Sequence, residues 1–131
     1  MSGNAISRKI PAKRILVVDD EPQVADTIRM VLVMTGHKVV VTESAARALE
    51  VYEPGKFDLV ISDYSLGNMN GLELARLIKE KCATQRFILI TAYAETMALK
   101  KEGLIHVDFL MGKPFPLTQL QEALETVFPE V

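Results

Sequence analysis

Five short apolar runs punctuate the chain: Ile15 to Val18, Val39 to Val41, Phe57 to Ile61, Phe87 to Ile90, and Val107 to Met111. Most are continuous or nearly so rather than alternating, which is the pattern of strands covered on both faces. Amphipathic stretches lie between them. Val24, Ile28, Val31 and Leu32 recur at helical spacing, with Pro22 in the first turn, where a missing N–H is tolerated, and Gly36 beyond the end. Leu74, Leu77, Ile78 and Lys81 mark a further helix after Gly71, and Leu117, Leu120, Leu124 and Val127 mark the last, after Pro116. Weaker helical patterns occupy residues 43–53 and 94–103. Strand alternating with helix five times predicts an α/β domain built on a parallel sheet with right-handed crossovers.

Composition narrows the class. The chain has 131 residues, enough for one domain, and no repeat or linker divides it. A hydrophobic share of 49% with 24% charged residues excludes disorder and fibrous repeats. The single cysteine, Cys82, excludes a disulfide framework and a Cys-rich zinc site. No run approaches the roughly 18 apolar residues of a membrane span. The start, MSGNAISRKI, is polar and basic and does not read as a secretory signal. The expectation is a cytoplasmic domain with no membrane partner.

Net charge is −2, but Arg8, Lys9, Lys13 and Arg14 stand without an acid in the first fourteen residues. This predicts a flexible, solvated basic arm over 1–12 and a domain over 13–131. The acidic remainder argues against nucleic acid as the main partner. His37 and His106 lack the spacing of metal ligands. Met30, Met34, Met69, Met97 and Met111 read as gap-filling core.

In an open parallel sheet, ligands bind beyond the carboxyl ends of the strands. The first run is followed by Asp19, Asp20 and Glu21; the third by Ser62 and Asp63; the fourth by Thr91; the fifth by Lys113 and Pro114. Three aspartates, a hydroxyl and an ammonium therefore converge on one sheet edge. Clustered carboxylates repel, and a hard cation such as Mg²⁺ relieves this with oxygen ligands and retained waters. A carboxylate beside that cation can attack phosphorus and become an acyl phosphate. The metal and a lysine would neutralise charge on the transferring group, and a hydroxyl across the pocket would sense it. Glu21 reads only as a first-turn acid near a helix dipole.

RILVVDDEP, VISDYSLGNMNGLELA, ILITAYAE and KPF, in this order and spacing, resemble the receiver domain of two-component response regulators, over about Lys13 to Phe128. The resemblance implies a flavodoxin-like, doubly wound sheet of five parallel strands in the order 2-1-3-4-5, with five helices. It implies that Asp63 is the phosphoacceptor and that Mg²⁺ is held by Asp20 directly, Asp19 mainly through water, Asp63, and the Ser65 backbone carbonyl. Thr91 would be the switch hydroxyl and Lys113 the phosphate-binding lysine, with a cis Lys113–Pro114 peptide. The phosphoryl donor would be a sensor histidine kinase or a phosphotransfer protein. The downstream protein partner, or a second copy in a homodimer, would dock on the face of the fourth helix, fifth strand and fifth helix, where Met97 and Phe109 are candidates.

Several positions depart from the family pattern. Gly67 stands where a proline is usual, which predicts a looser loop after Asp63. Leu110 stands where a switch aromatic is frequent, with Phe109 one residue earlier. Either a bulge brings Phe109 into that role or the coupling to Thr91 is absent, and the second is favoured. Ser65 and Tyr93 flank the path of hydrolytic water without offering a carboxylate base, which predicts a long-lived phosphoform.

The leading reading is a switch that catalyses its own phosphorylation and dephosphorylation and turns over no external substrate. A haloacid-dehalogenase-type enzyme would need an acid where Ser65 stands, and the P-loop and GxSxG signatures are missing. A phosphorylation-independent adaptor, and a relay intermediate excised from a hybrid kinase, are the alternatives. With no room for a second domain, the chain would act by binding a partner, by relaying phosphate, or as a piece of a larger regulator.

Overall fold

The computed structural model describes residues 10–101 and 104–129. Along the chain run β1 (Arg14–Val18), α1 (Pro22–Met34), β2 (Lys38–Thr42), α2 (Ala45–Val51), β3 (Leu59–Asp63), α3 (Gly71–Lys81), β4 (Arg86–Thr91), α4 (Ala94–Lys100), a 3-10 turn (Leu104–His106), β5 (Phe109–Gly112) and α5 (Leu117–Val127). The strands form one parallel sheet in the order β2-β1-β3-β4-β5. After β1 the chain crosses to β2 on one side and then to β3 on the other. The order therefore reverses at the carboxyl ends of β1 and β3, where this fold leaves a crevice.

The continuous apolar runs are explained by two cores. Ile15, Val17, Leu59, Ile61, Ile88 and Ile90 pack on one face with Ile28 and Leu32 of α1 and Leu120 and Leu124 of α5. Leu16, Val18, Val60, Phe87 and Leu89 pack on the other with Ala48 of α2 and Leu74 and Ile78 of α3. Alternate residues of each central strand serve opposite layers, so both sets must be apolar.

Helix ends follow local chemistry. Pro22 opens α1, the Ser44 hydroxyl accepts the Arg47 N–H at the start of α2, and the Asn70 side chain accepts the Glu73 N–H at the start of α3. α4 ends at Lys101, in the left-handed region at φ 60°. The helix expected over 94–103 therefore stops at Lys100, and residues 102–103 lie outside the described residues.

Several expectations shift. β3 begins at Leu59 and β5 at Phe109, not at Phe57 and Val107. An aspartate precedes each start: the Asp58 carboxylate accepts the Arg14 backbone N–H at 2.8 Å, and that of Asp108 accepts the Phe87 N–H at 2.8 Å. Met30 and Met34 are not core; they are 52% and 77% exposed, out of phase with the buried Ile28 and Leu32. Met111 is fully buried, as read. Leu117, at the first position of α5, faces outward ahead of the buried stripe. Upstream, Ile10 is buried within the layer under α1 and α5, so the core reaches into the arm expected over 1–12. Residues 1–9 of that arm lie outside the described residues. Among the described residues no helix is long and apolar enough to cross a membrane.

Candidate functional site

Parallel pairing of β1 with β3 sets Val18 opposite Ser62. Asp19, the first residue past β1, therefore lies beside Asp63, the last residue of β3. Both are buried, and Asp20 is exposed at the rim. Asp19, Asp20 and Asp63 each offer an oxygen, and the three oxygens lie within 4.8 Å of one another. Asp19 Oδ1 accepts the Glu21 N–H at 2.9 Å, but Oδ2 is buried with no hydrogen-bond partner. Burial, and then the nearby Asp63 charge, push the Asp19 carboxyl up to about 6. Burial likewise raises Asp63, against the pull of Lys113. Hard oxygen donors, mutual repulsion and an orphaned buried oxygen are what a small divalent cation satisfies, and the donor set fits Mg²⁺. Ser65 follows on the loop and pairs with Asn70 in an isolated antiparallel bridge.

The other edge of the crevice comes from β4 and β5. Thr91 ends β4, buried, and its hydroxyl accepts the Tyr93 N–H at 3.0 Å. Tyr93 itself is 60% exposed. The Lys113 N–H donates to the Thr91 carbonyl, and the Lys113–Pro114 peptide is cis. The ammonium lies over the acids: Lys113 Nζ is 3.2 Å from Asp63 Oδ2 and 3.8 Å from Asp19 Oδ2. Burial opposes its charge, yet Glu21, Asp19 and Asp63 outweigh that and hold Lys113 above its ordinary range.

All five strand-end residues singled out in the sequence thus share one crevice. Glu21 was missed. It caps no N–H with its side chain; its Oε1 lies 2.5 Å from Lys113 Nζ, the shortest contact that ammonium makes. The flanking acid beside Asp19 and Asp20 was visible, but its partner is 92 positions away.

The alternative placement of Phe109 is settled by the ladder. β4 and β5 pair without offset, Ile88 to Phe109 through Thr91 to Gly112, so there is no bulge. Phe109 packs into the layer of α1 and α5, while Leu110 packs into the opposite one, on the side that Leu89 and Thr91 share. Gly67 adopts φ 85°, a left-handed conformation closed to the proline usual there. The loop around it is held by buried Leu66, the Ser65–Asn70 bridge, and the Gly71 N–H on the Tyr64 carbonyl at 2.7 Å.

Comparison with known proteins matches this geometry. The chain is 34% identical over 118 residues to the phosphate regulon transcriptional regulatory protein PhoB of Pseudomonas aeruginosa, covering 88% of this chain and 51% of that protein. It therefore spans about half the length of that relative. Among solved structures, the non-phosphorylated HemR receiver domain of Leptospira biflexa superposes with a TM-score of 0.80 at 30% identity, covering 90% of this chain and 94% of that one. The response regulator TrrA of Thermotoga maritima, in complex with Mg(2+)-BeF, gives 0.80 at 32% identity, covering 88% and 98%. Residues 15–125 match the response regulator receiver domain, and with the same sheet order and acidic crevice the chain belongs to that family of two-component signalling proteins.

Proposed function

We propose that this receiver is a phosphorylation switch in which Asp63 accepts a phosphoryl group from a phosphohistidine on a sensor histidine kinase or phosphotransfer protein. The observation that carries the reading is a buried Asp63 set between two other acids and Lys113. A carboxylate oxygen of Asp63 attacks phosphorus as the N–P bond to the donor imidazole breaks, and the imidazole leaves to take a proton from water. Asp20, Asp63 and the Ser65 carbonyl, with Asp19 mainly through water, would hold Mg²⁺, which when bound would neutralise the phosphoryl charge. Lys113 stabilises the remaining oxygens, and the Thr91 hydroxyl turns from the Tyr93 N–H toward the new group. The complex of TrrA with Mg(2+)-BeF supports this placement.

The chemistry is self-modification, not turnover of an external substrate. Thr91 lies just before α4 (Ala94–Lys100) and Lys113 between β5 and α5, so a rearrangement at the crevice reaches α4, β5 and α5 first. We place the output surface there, for a downstream protein or a second copy. The adaptor reading gives no reason to bury two like charges side by side.

Incubation with Mg²⁺ and acetyl phosphate, followed by intact mass measurement, tests the reading. A single phosphoryl adduct is expected on the wild type and none on Asp63→Asn. No adduct, or one that persists in Asp63→Asn, returns the domain to the adaptor reading.

A further inference from the structure

Lys113 has three N–H donors and faces three carboxylates, and the closest is the one outside the acidic cluster. Glu21 lies on the β1–α1 turn and Lys113 on the turn into α5, so their contact closes the crevice mouth from both walls. Glu21 is the exposed member of the pair at 59%, against 17% for Lys113. It makes no capping bond with its side chain, so no hydrogen bond to the helix end holds it where it points.

We infer that Glu21 is a clasp that competes with the phosphoryl group for Lys113, making it a positioning residue for the phosphorylation of Asp63. The inference rests on the reading of Asp63 as acceptor. In the resting domain the ammonium is shared between Glu21 and Asp63. A phosphoryl group on Asp63 brings several charged oxygens into the crevice, and Lys113 must turn to them for full stabilisation. Glu21 has to release it. Part of the phosphoryl–lysine interaction is then used to break the clasp, which lowers the affinity of the site for any tetrahedral anion. The freed carboxylate lies on the rim of a groove of about 410 Å³ lined by Val24, Thr27, Phe115 and Leu117, so the charge of that rim changes with phosphorylation.

The test is beryllofluoride binding at saturating Mg²⁺, followed by fluorine NMR on the full chain. Glu21→Gln removes charge and clasp together. Glu21→Asp keeps the charge and withdraws the oxygen by one methylene. Both variants should bind beryllofluoride about three- to five-fold more tightly, the scale of one half-exposed ion pair. Tightening in Glu21→Gln alone would assign the effect to the charge and overturn the clasp, as would unchanged or weaker binding in both. Failure of the underlying reading looks different: the wild type would then bind no beryllofluoride, or Asp63→Asn would bind it equally well.

Discussion

At Gly71 the site depends on the absence of a side chain. Its backbone is not in the left-handed region; what excludes a larger residue is space. A Cβ there would lie 2.5 Å from the Asp63 carbonyl oxygen and 2.6 Å from Leu89 Cδ1. The first residue of α3 is thus pressed against the end of the strand that carries Asp63, the proposed acceptor. Backbone cannot give way as a flexible side chain can, so Gly71→Ala must shift α3 or the end of β3. It should cost about 1–3 kcal/mol by chemical denaturation and slow phosphorylation of Asp63 by acetyl phosphate. A variant of wild-type stability and rate would show that the two elements separate freely.

Individual residues also show where sequence is legible. Asp19, Asp20, Asp63, Thr91 and Lys113 could be picked out because each ends a strand or lies within two residues of its end, and parallel strands bring such ends together. Glu21 follows the same strand as Asp19 and Asp20 but has a local explanation, the helix dipole. Only the fold brings it to a lysine near the other end of the chain.

At the scale of elements, the β3–α3 loop shows a conformational demand that composition alone does not reveal. A glycine in place of proline suggests slack, yet Gly67 takes φ 85° between buried Leu66 and the bridged Asn70. The residue is needed for a turn that proline, fixed near −65°, cannot make. Gly67→Pro should therefore destabilise the domain rather than rigidify it, by more than the roughly 0.4–1 kcal/mol such exchanges contribute where they fit. A raised denaturation midpoint would contradict this. The helices were legible where the apolar stripe is long, as in α1 and α5, and less so where apolar residues lie off it. Met30 and Met34 satisfy a composition argument for core but fall a quarter-turn or more from Ile28 and Leu32. Strand starts were misplaced because Phe57 is buried without joining the ladder, which opens only after Asp58.

Across the whole molecule, the site works against the fold that holds it. With its carboxyl raised to about 6 by burial, Asp19 holds its proton more tightly folded than unfolded. The folded state then binds more protons in the window between the ordinary aspartate value and about 6. Stability must fall as pH rises through that window, and the full penalty is present above it. Mg²⁺, which would bind only the assembled crevice, would offset that penalty, adding about 2.7 kcal/mol at a hundredfold excess over its dissociation constant. Asp19→Asn should accordingly be more stable than the wild type in metal-free buffer at pH 7, by on the order of 2 kcal/mol, with the gap closing toward pH 4. Added Mg²⁺ at pH 7 should raise the wild-type melting temperature far more than that of Asp19→Asn and erase the advantage. If the variant gains nothing without metal, the buried acids are not under the tension described, and cation binding is not what relieves them. If Mg²⁺ stabilises both proteins equally, Asp19 lies outside the cation site.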